Sequence, residues 1–227
     1  MKIAVLGAMP EEIEPLLKKL DYRVEEFANN KFYFAKFNNH ELIIAYSKIG
    51  KVNSTLTATL MIEKFGAEAL IFTGVAGALK EGLKIGDIVL ATSLVQHDID
   101  ITAFGHPYGF VPESPIFVKT DANLNKVAKE TAKKLNLELF EGIVASGDQF
   151  ISSKEKKEWI KSTFKADLAE MEGASVGMAC YALNTPFIVL RTVSDSADDS
   201  ADIDFDKFMT QSAKINAEFT LKMIENL

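Results

Sequence analysis

Short apolar runs alternate with longer stretches of helical periodicity along the whole chain, and this alternation restricts the fold more than any other feature. It is the pattern of an α/β domain. Strands are expected at residues 2–7, 31–37, 41–47, 69–74, 87–95, 142–146 and 187–194, and helices at about 10–20, 53–65, 122–135, 155–162, 172–183 and 205–225. Asn38-Asn39 separates the second and third strands with two turn-forming residues, so these two should form a hairpin. The result is a mixed central sheet with helices on both faces. Residues 105–114 hold Pro107, Gly109 and Pro112 and read as a long irregular loop, the kind that often carries function. No repeat, low-complexity tract or linker divides the chain, so residues 1–227 are expected to form a single domain.

Composition enters mainly by exclusion. With 48% apolar and 25% charged residues the chain is an ordinary globular sequence, long enough for one sizeable core. No apolar run reaches the roughly 18 residues of a membrane span, and the first residues read as a strand rather than a signal peptide. The single cysteine, Cys180, cannot form an internal disulfide, which fits a reducing, cytoplasmic setting. A formal charge of −7, from 32 acidic and 25 basic residues, repels phosphate backbones, so neither nucleic acid nor a membrane is an expected partner. Arg23 and Arg191 are the only arginines, so one subunit cannot assemble a guanidinium cluster to grip phosphate.

Several motifs fail on inspection. Ser47-Lys48-Ile49-Gly50-Lys51 lacks the upstream glycine and following hydroxyl of a phosphate-binding loop, and Gly74-Val75-Ala76-Gly77 lacks dinucleotide-fingerprint spacing. The acidic run Asp195, Asp198, Asp199, Asp202, Asp204, Asp206 does not match a calcium loop. His40, His97 and His106 never fall at helical ligand spacing, so no metal and no cofactor are expected.

What survives is a set of carboxylates at strand ends, where open α/β sheets bind ligands. Gly7-Ala8-Met9-Pro10-Glu11-Glu12 follows the first strand, and its acids could simply complement a helix dipole. Asp195 follows the last strand, where a helix N-cap is the ordinary reading. Glu172 heads a helix of small and apolar residues that must be buried, so its carboxyl must be hydrogen-bonded or neutral. Three acids around one pocket suit chemistry in which positive charge develops, such as sugar transfer through an oxocarbenium ion.

The motifs Gly7-Ala8-Met9-Pro10-Glu11-Glu12, Thr73-Gly74-Val75-Ala76-Gly77, Val144-Ala145-Ser146-Gly147-Asp148-Gln149-Phe150, Glu170-Met171-Glu172-Gly173-Ala174 and Arg191-Thr192-Val193-Ser194-Asp195 occur in one order. In this the chain resembles the 5′-methylthioadenosine/S-adenosylhomocysteine nucleosidases over nearly its whole length. Leu94 to Asp100, Ala103 to Pro107 and Pro112 to Ser114 further resemble the branch that also cleaves 6-amino-6-deoxyfutalosine in menaquinone biosynthesis. The resemblance implies the nucleoside phosphorylase-like fold, a homodimer and an adenine nucleoside as the small-molecule substrate, with water as nucleophile. Glu12 would activate the water and Asp195 would protonate adenine N7. Glu172 would accept from the ribose hydroxyls beside Met171, Phe150 would stack on adenine, and the backbone of Ile151 would read its edge. Ser194 and Arg191 would support Asp195 and the water. Met9, Ile49, Ile101, Phe104 and Phe205 would wall the 5′ substituent, with the 105–114 loop near the partner's site. Val75 stands where many members have serine, so the water must be held without that hydroxyl.

Two other functions share the pattern. A purine nucleoside phosphorylase has the same fold but needs cationic donors for phosphate, which favours hydrolysis here. A non-enzymatic nucleoside-binding or receiver-like module would also place acids at strand ends. The motifs do not distinguish methionine salvage from menaquinone synthesis as the pathway served.

Overall fold

Near-continuous apolar runs become the central strands, because a strand covered on both faces has no polar side to show. A computed structural model describes residues 1–198 and 201–227, the side chain of residue 203 excepted, so Asp199 lies outside the described residues. The elements run β1 (Lys2–Gly7), α1 (Pro10–Leu17), β2 (Tyr22–Phe27), β3 (Asn30–Phe37), β4 (His40–Tyr46), α2 (Lys51–Thr59), β5 (Ala69–Ala78) and β6 (Ile88–Gln96). They continue with β7 (Phe117–Lys119), α3 (Ala122–Lys134), β8 (Leu139–Ser146), α4 (Lys154–Phe164), β9 (Leu168–Glu170), α5 (Gly173–Ala182), β10 (Phe187–Asp195) and α6 (Ala201–Ile224). The strands form one 10-stranded mixed sheet in the order β10-β6-β8-β9-β5-β1-β4-β3-β2, with β7 on β6. Because β10 also pairs with β5 in parallel, the first five strands of that order close into a ring.

Alternate side chains of β1 enter opposite cores. Ile3 and Val5 pack with α1, α3 and α6 through residues such as Leu16, Leu124 and Phe219. Ala4 and Leu6 pack with α2 and α5 through Ala58, Met61, Val176 and Cys180. Helices on both faces follow directly from this period of two. A third, smaller core of Val95, Ala145, Ile151, Ile160 and Phe164 seats α4.

The expected hairpin forms, with Phe37 opposite His40 and Asn38 at φ +51°. A second hairpin, β2–β3, turns through Ala28 and Asn29, both at positive φ as a type I′ turn requires. β2 carries no alternating apolar signal because the strand is exposed along nearly its whole length. β7 and β9 are three residues each, too short for a periodic signature. β5 runs on to Ala78, through glycines that looked like its end, and α2 continues into a π turn at Leu60–Lys64.

Candidate active site

The carboxyl ends of β1, β4, β5, β8, β9 and β10 surround one cavity of about 330 Å³. Of the residues expected at the site, Met9, Glu12, Ile49, Val75, Phe150, Ile151, Met171, Glu172, Ser194, Asp195 and Phe205 line it. Ile101 and Phe104 do not, and Phe104 stands 80% exposed on the surface. Arg191 lies behind the cavity rather than on its wall, 1% exposed.

Glu12 is held by the geometry of the β1–α1 junction. Pro10 starts α1, and Glu12, two residues on, turns its carboxylate back toward the helix start. Its Oε2 accepts from Ala8 N at 2.6 Å and Met9 N at 3.0 Å, and its Oε1 accepts from Val75 N at 2.9 Å. Burial pushes the Glu12 pKa up, while the Arg191 guanidinium and the three backbone donors pull against it. The close approach of Glu12 and Arg191 depends on Gly74, where any Cβ would collide with both Glu12 Oε1 and Arg191 Nη1. Val75 thus contributes its N–H to the carboxylate and an apolar side chain to the wall.

Asp195, the last residue of β10, is buried in the wall of the same cavity. Its Oδ2 accepts from Ser194 Oγ and its Oδ1 from Ala197 N, each at 2.8 Å. Burial raises its pKa, two hydrogen bonds pull it down, and Asp204 and Asp198 raise it further. Glu12 therefore has a cation among its neighbours, whereas Asp195 has anions. Such opposed surroundings separate a base from an acid.

Glu170 was not singled out from sequence, yet it organises the floor of the cavity. Its Oε2 accepts from Arg191 Nη2 and its Oε1 from Ser146 Oγ, and both oxygens accept from Gly173 N at 2.9 and 2.8 Å. Ser146 Oγ in turn accepts from Ala174 N at 2.7 Å. Glu170 and Ser146 thereby cap α5, which leaves the carboxyl of Glu172, at the N-cap position itself, free to turn into the cavity. Glu172 Oε1 accepts from Gly50 N at 2.8 Å, and burial together with the Glu170 carboxylate pushes its pKa up to about 8. The only sequence signal for Glu170 is the spacing Glu-Met-Glu-Gly at a helix start. That pattern gives no hint of which acid caps and which faces the ligand.

The rest of the wall is apolar, with Phe150 and Phe205 edge to face at 5.6 Å. The cavity lining, among the described residues, contains neither lysine nor arginine. No group of three or more His, Cys, Asp or Glu among the described residues could hold a metal ion.

The chain matches the phosphorylase superfamily over residues 2–225. It is 60% identical to the aminodeoxyfutalosine nucleosidase of Campylobacter jejuni over 100% of both chains. It is 40% identical to the 5′-methylthioadenosine/S-adenosylhomocysteine nucleosidase of Staphylococcus epidermidis, over 99% of this chain and 100% of the relative. Among solved structures, the futalosine hydrolase of Helicobacter pylori strain 26695 has a TM-score of 0.99 at 49% identity, covering 100% of this chain and 98% of that one. The chain therefore belongs to the phosphorylase superfamily and, within it, to the 5′-methylthioadenosine/S-adenosylhomocysteine nucleosidases, which hydrolyse N-glycosidic bonds.

Proposed function

We propose that this chain releases adenine from 5′-substituted adenine nucleosides by hydrolysis, taking 5′-methylthioadenosine, S-adenosylhomocysteine, 5′-deoxyadenosine and 6-amino-6-deoxyfutalosine. The observation that carries the reading is the pair Glu12 and Asp195, both buried in the wall of one cavity in opposed electrostatic surroundings. Asp195, whose pKa burial and its anionic neighbours raise, donates a proton to adenine N7 as the glycosidic bond breaks. Glu12, fixed by three N–H donors, takes a proton from the water that attacks C1′. The ring carbon between them gains positive charge in the transition state, and the acidic wall stabilises it. The 60% identity to an aminodeoxyfutalosine nucleosidase supports the inclusion of that substrate.

Phe150 stacks on adenine, the Ile151 backbone reads its edge, and Glu172 with Met171 holds the ribose. Met9, Ile49 and Phe205 take the 5′ group. Arg191 serves the water side by holding the charge balance around Glu12, while Ser194 orients Asp195 directly. Water, not phosphate, is the nucleophile, because the cavity wall has no cation among the described residues and Arg191 is already paired with Glu170. We place Ile101, Phe104 and the 105–114 loop at the cavity of a second copy in a homodimer, since they lie off their own cavity. The exposed apolar residues Val52 and Leu56 on α2 support such a pairing. One domain spanning residues 1–227 and a cytoplasmic location complete the proposal. The buried lone cysteine supports that location, and no helix among the described residues is long and apolar enough to cross a membrane.

The test is chromatographic detection of adenine from 5′-methylthioadenosine and from 6-amino-6-deoxyfutalosine, with and without phosphate. Phosphate-independent release of free ribosyl product, lost in Asp195→Asn, is expected. A sugar 1-phosphate product would overturn the assignment of Glu12, and full turnover by Asp195→Asn would overturn that of Asp195.

A further inference from the structure

Phe150 sits on an irregular loop after β8 and is half-exposed, so little core packing fixes the ring expected to meet the base. The residues that fix this loop form a closed circuit drawn from three separate segments of the chain. Asp148 Oδ1 accepts from Lys51 N at 2.8 Å, Asp148 N donates to Asp98 Oδ2 at 2.9 Å, and Lys51 Nζ donates to Asp98 Oδ1 at 2.7 Å. The circuit therefore joins the segments that follow β4, β6 and β8. It is not a loose surface pair, because the Lys51 and Asp98 side chains are only 15% and 14% exposed. Gln96 Oε1 accepts a further bond from Lys51 Nζ at 3.1 Å.

Both ends of the circuit touch the cavity wall. Asp148 is two residues before Phe150. Lys51 follows Gly50, whose N–H is the donor to Glu172 Oε1 and whose φ of +99° sets the start of α2. The N-cap Gly50 has no side chain to cap this helix, so Glu172 and Asp148, from distant parts of the chain, take the N–H groups of Gly50 and Lys51. A shift of the circuit moves the adenine-stacking ring and the ribose-binding carboxylate together. Among the described residues, Glu12 and Asp195 make their hydrogen bonds to groups outside it.

We propose that Asp98 is a positioning residue for nucleoside binding, acting through Lys51 and Asp148 on Phe150 and Glu172. The inference rests on the reading of the cavity as an adenine nucleoside site. It assigns binding, rather than proton transfer, to the circuit, because only the residues that hold base and ribose are linked to it.

Asp98→Asn removes the charge facing Lys51 and one of the two acceptor oxygens. With 5′-methylthioadenosine as substrate and calorimetric binding of free adenine, we expect KM and the adenine Kd each to rise about tenfold while kcat stays within about threefold. A staple with no bearing on the site would lower the melting temperature and leave both constants alone. KM and adenine Kd within about twofold of wild type, whatever the change in kcat or melting temperature, overturns the proposal. If Asp98→Asn does not fold, Lys51→Gln, which leaves the Lys51 backbone donor in place, is read by the same criteria. Wild-type protein that neither turns over the nucleoside nor binds adenine refutes the reading of the cavity; an active wild type matched by its variant refutes the circuit alone.

Discussion

Replacing Glu170 with glutamine keeps the shape of the side chain and removes its charge. In the folded chain that carboxylate meets Arg191 Nη2, Ser146 Oγ, Gly173 N and, at 3.3 Å, Glu172 N, all of them donors. An amide can keep its oxygen on the Arg191 side only by turning its NH2 toward Ser146, which then has to accept. Arg191 is left buried and cationic, with Nε and Nη1 already lacking a hydrogen-bond partner among the described residues. Breaking a buried pair by removing one charge costs about 3–5 kcal/mol. Glu12, beside Arg191, offsets part of that, so we expect a loss of about 3 kcal/mol. For a chain of this length that lowers the melting temperature by about 6–12 °C. Arg191, no longer neutralised by Glu170, then acts more strongly on Glu12 and pulls its pKa down, so the acidic limb of kcat/KM moves to lower pH. Thermal denaturation and a pH–rate profile measure both effects. A melting temperature within about 2 °C of wild type, with an unmoved acidic limb, would show that the Glu170–Arg191 pair neither stabilises the floor nor tunes the base.

Stability should fall as pH rises from 6.5 to about 8. Burial raises the Glu172 pKa to about 8, so in this window the folded chain holds a proton on Glu172 that the unfolded one has lost, and the upward shifts of Glu12 and Asp195 act with the same sign. His97, whose pKa burial lowers, opposes the trend most below its ordinary value of 6.5 and fades above it. Urea midpoints across the window test this, with Glu172→Gln flattening the slope; a midpoint that climbs with pH contradicts it. Gly74→Ala forces Glu12 and Arg191 apart and should reduce kcat/KM by about a hundredfold while costing about 1–3 kcal/mol of stability. Steady-state kinetics on the folded variant decide the matter, since near-wild-type turnover would mean that Glu12 does not need its observed position.

Elements with a local signature were legible from the residues. Continuous apolar runs marked β1, β5 and β10, small apolar residues marked α5, and Asn38-Asn39 marked the β3–β4 turn. The acids Glu12, Glu172 and Asp195 were visible because each stands where a strand gives way to a helix or loop. β2 was not, because an exposed edge strand has no buried face to impose alternation. Nor was the pairing of β10 with β5 and β6 that closes the ring, since strand partners are chosen across more than a hundred residues.

Charge assignments show the same division. Sequence can place an acid at a strand end, where ligands bind. It cannot say that Glu170, two residues from Glu172, spends its carboxylate on Arg191 and on capping α5, while the Glu172 carboxylate takes no part in that cap. It likewise cannot join Lys51, Asp98 and Asp148, which follow three different strands and meet only in the folded sheet. Periodicity along the chain reflects which faces avoid water, a property each segment carries in its own residues. Which buried charge finds which partner depends on distances of a few ångströms between segments far apart in the chain, and only the folded sheet sets those distances.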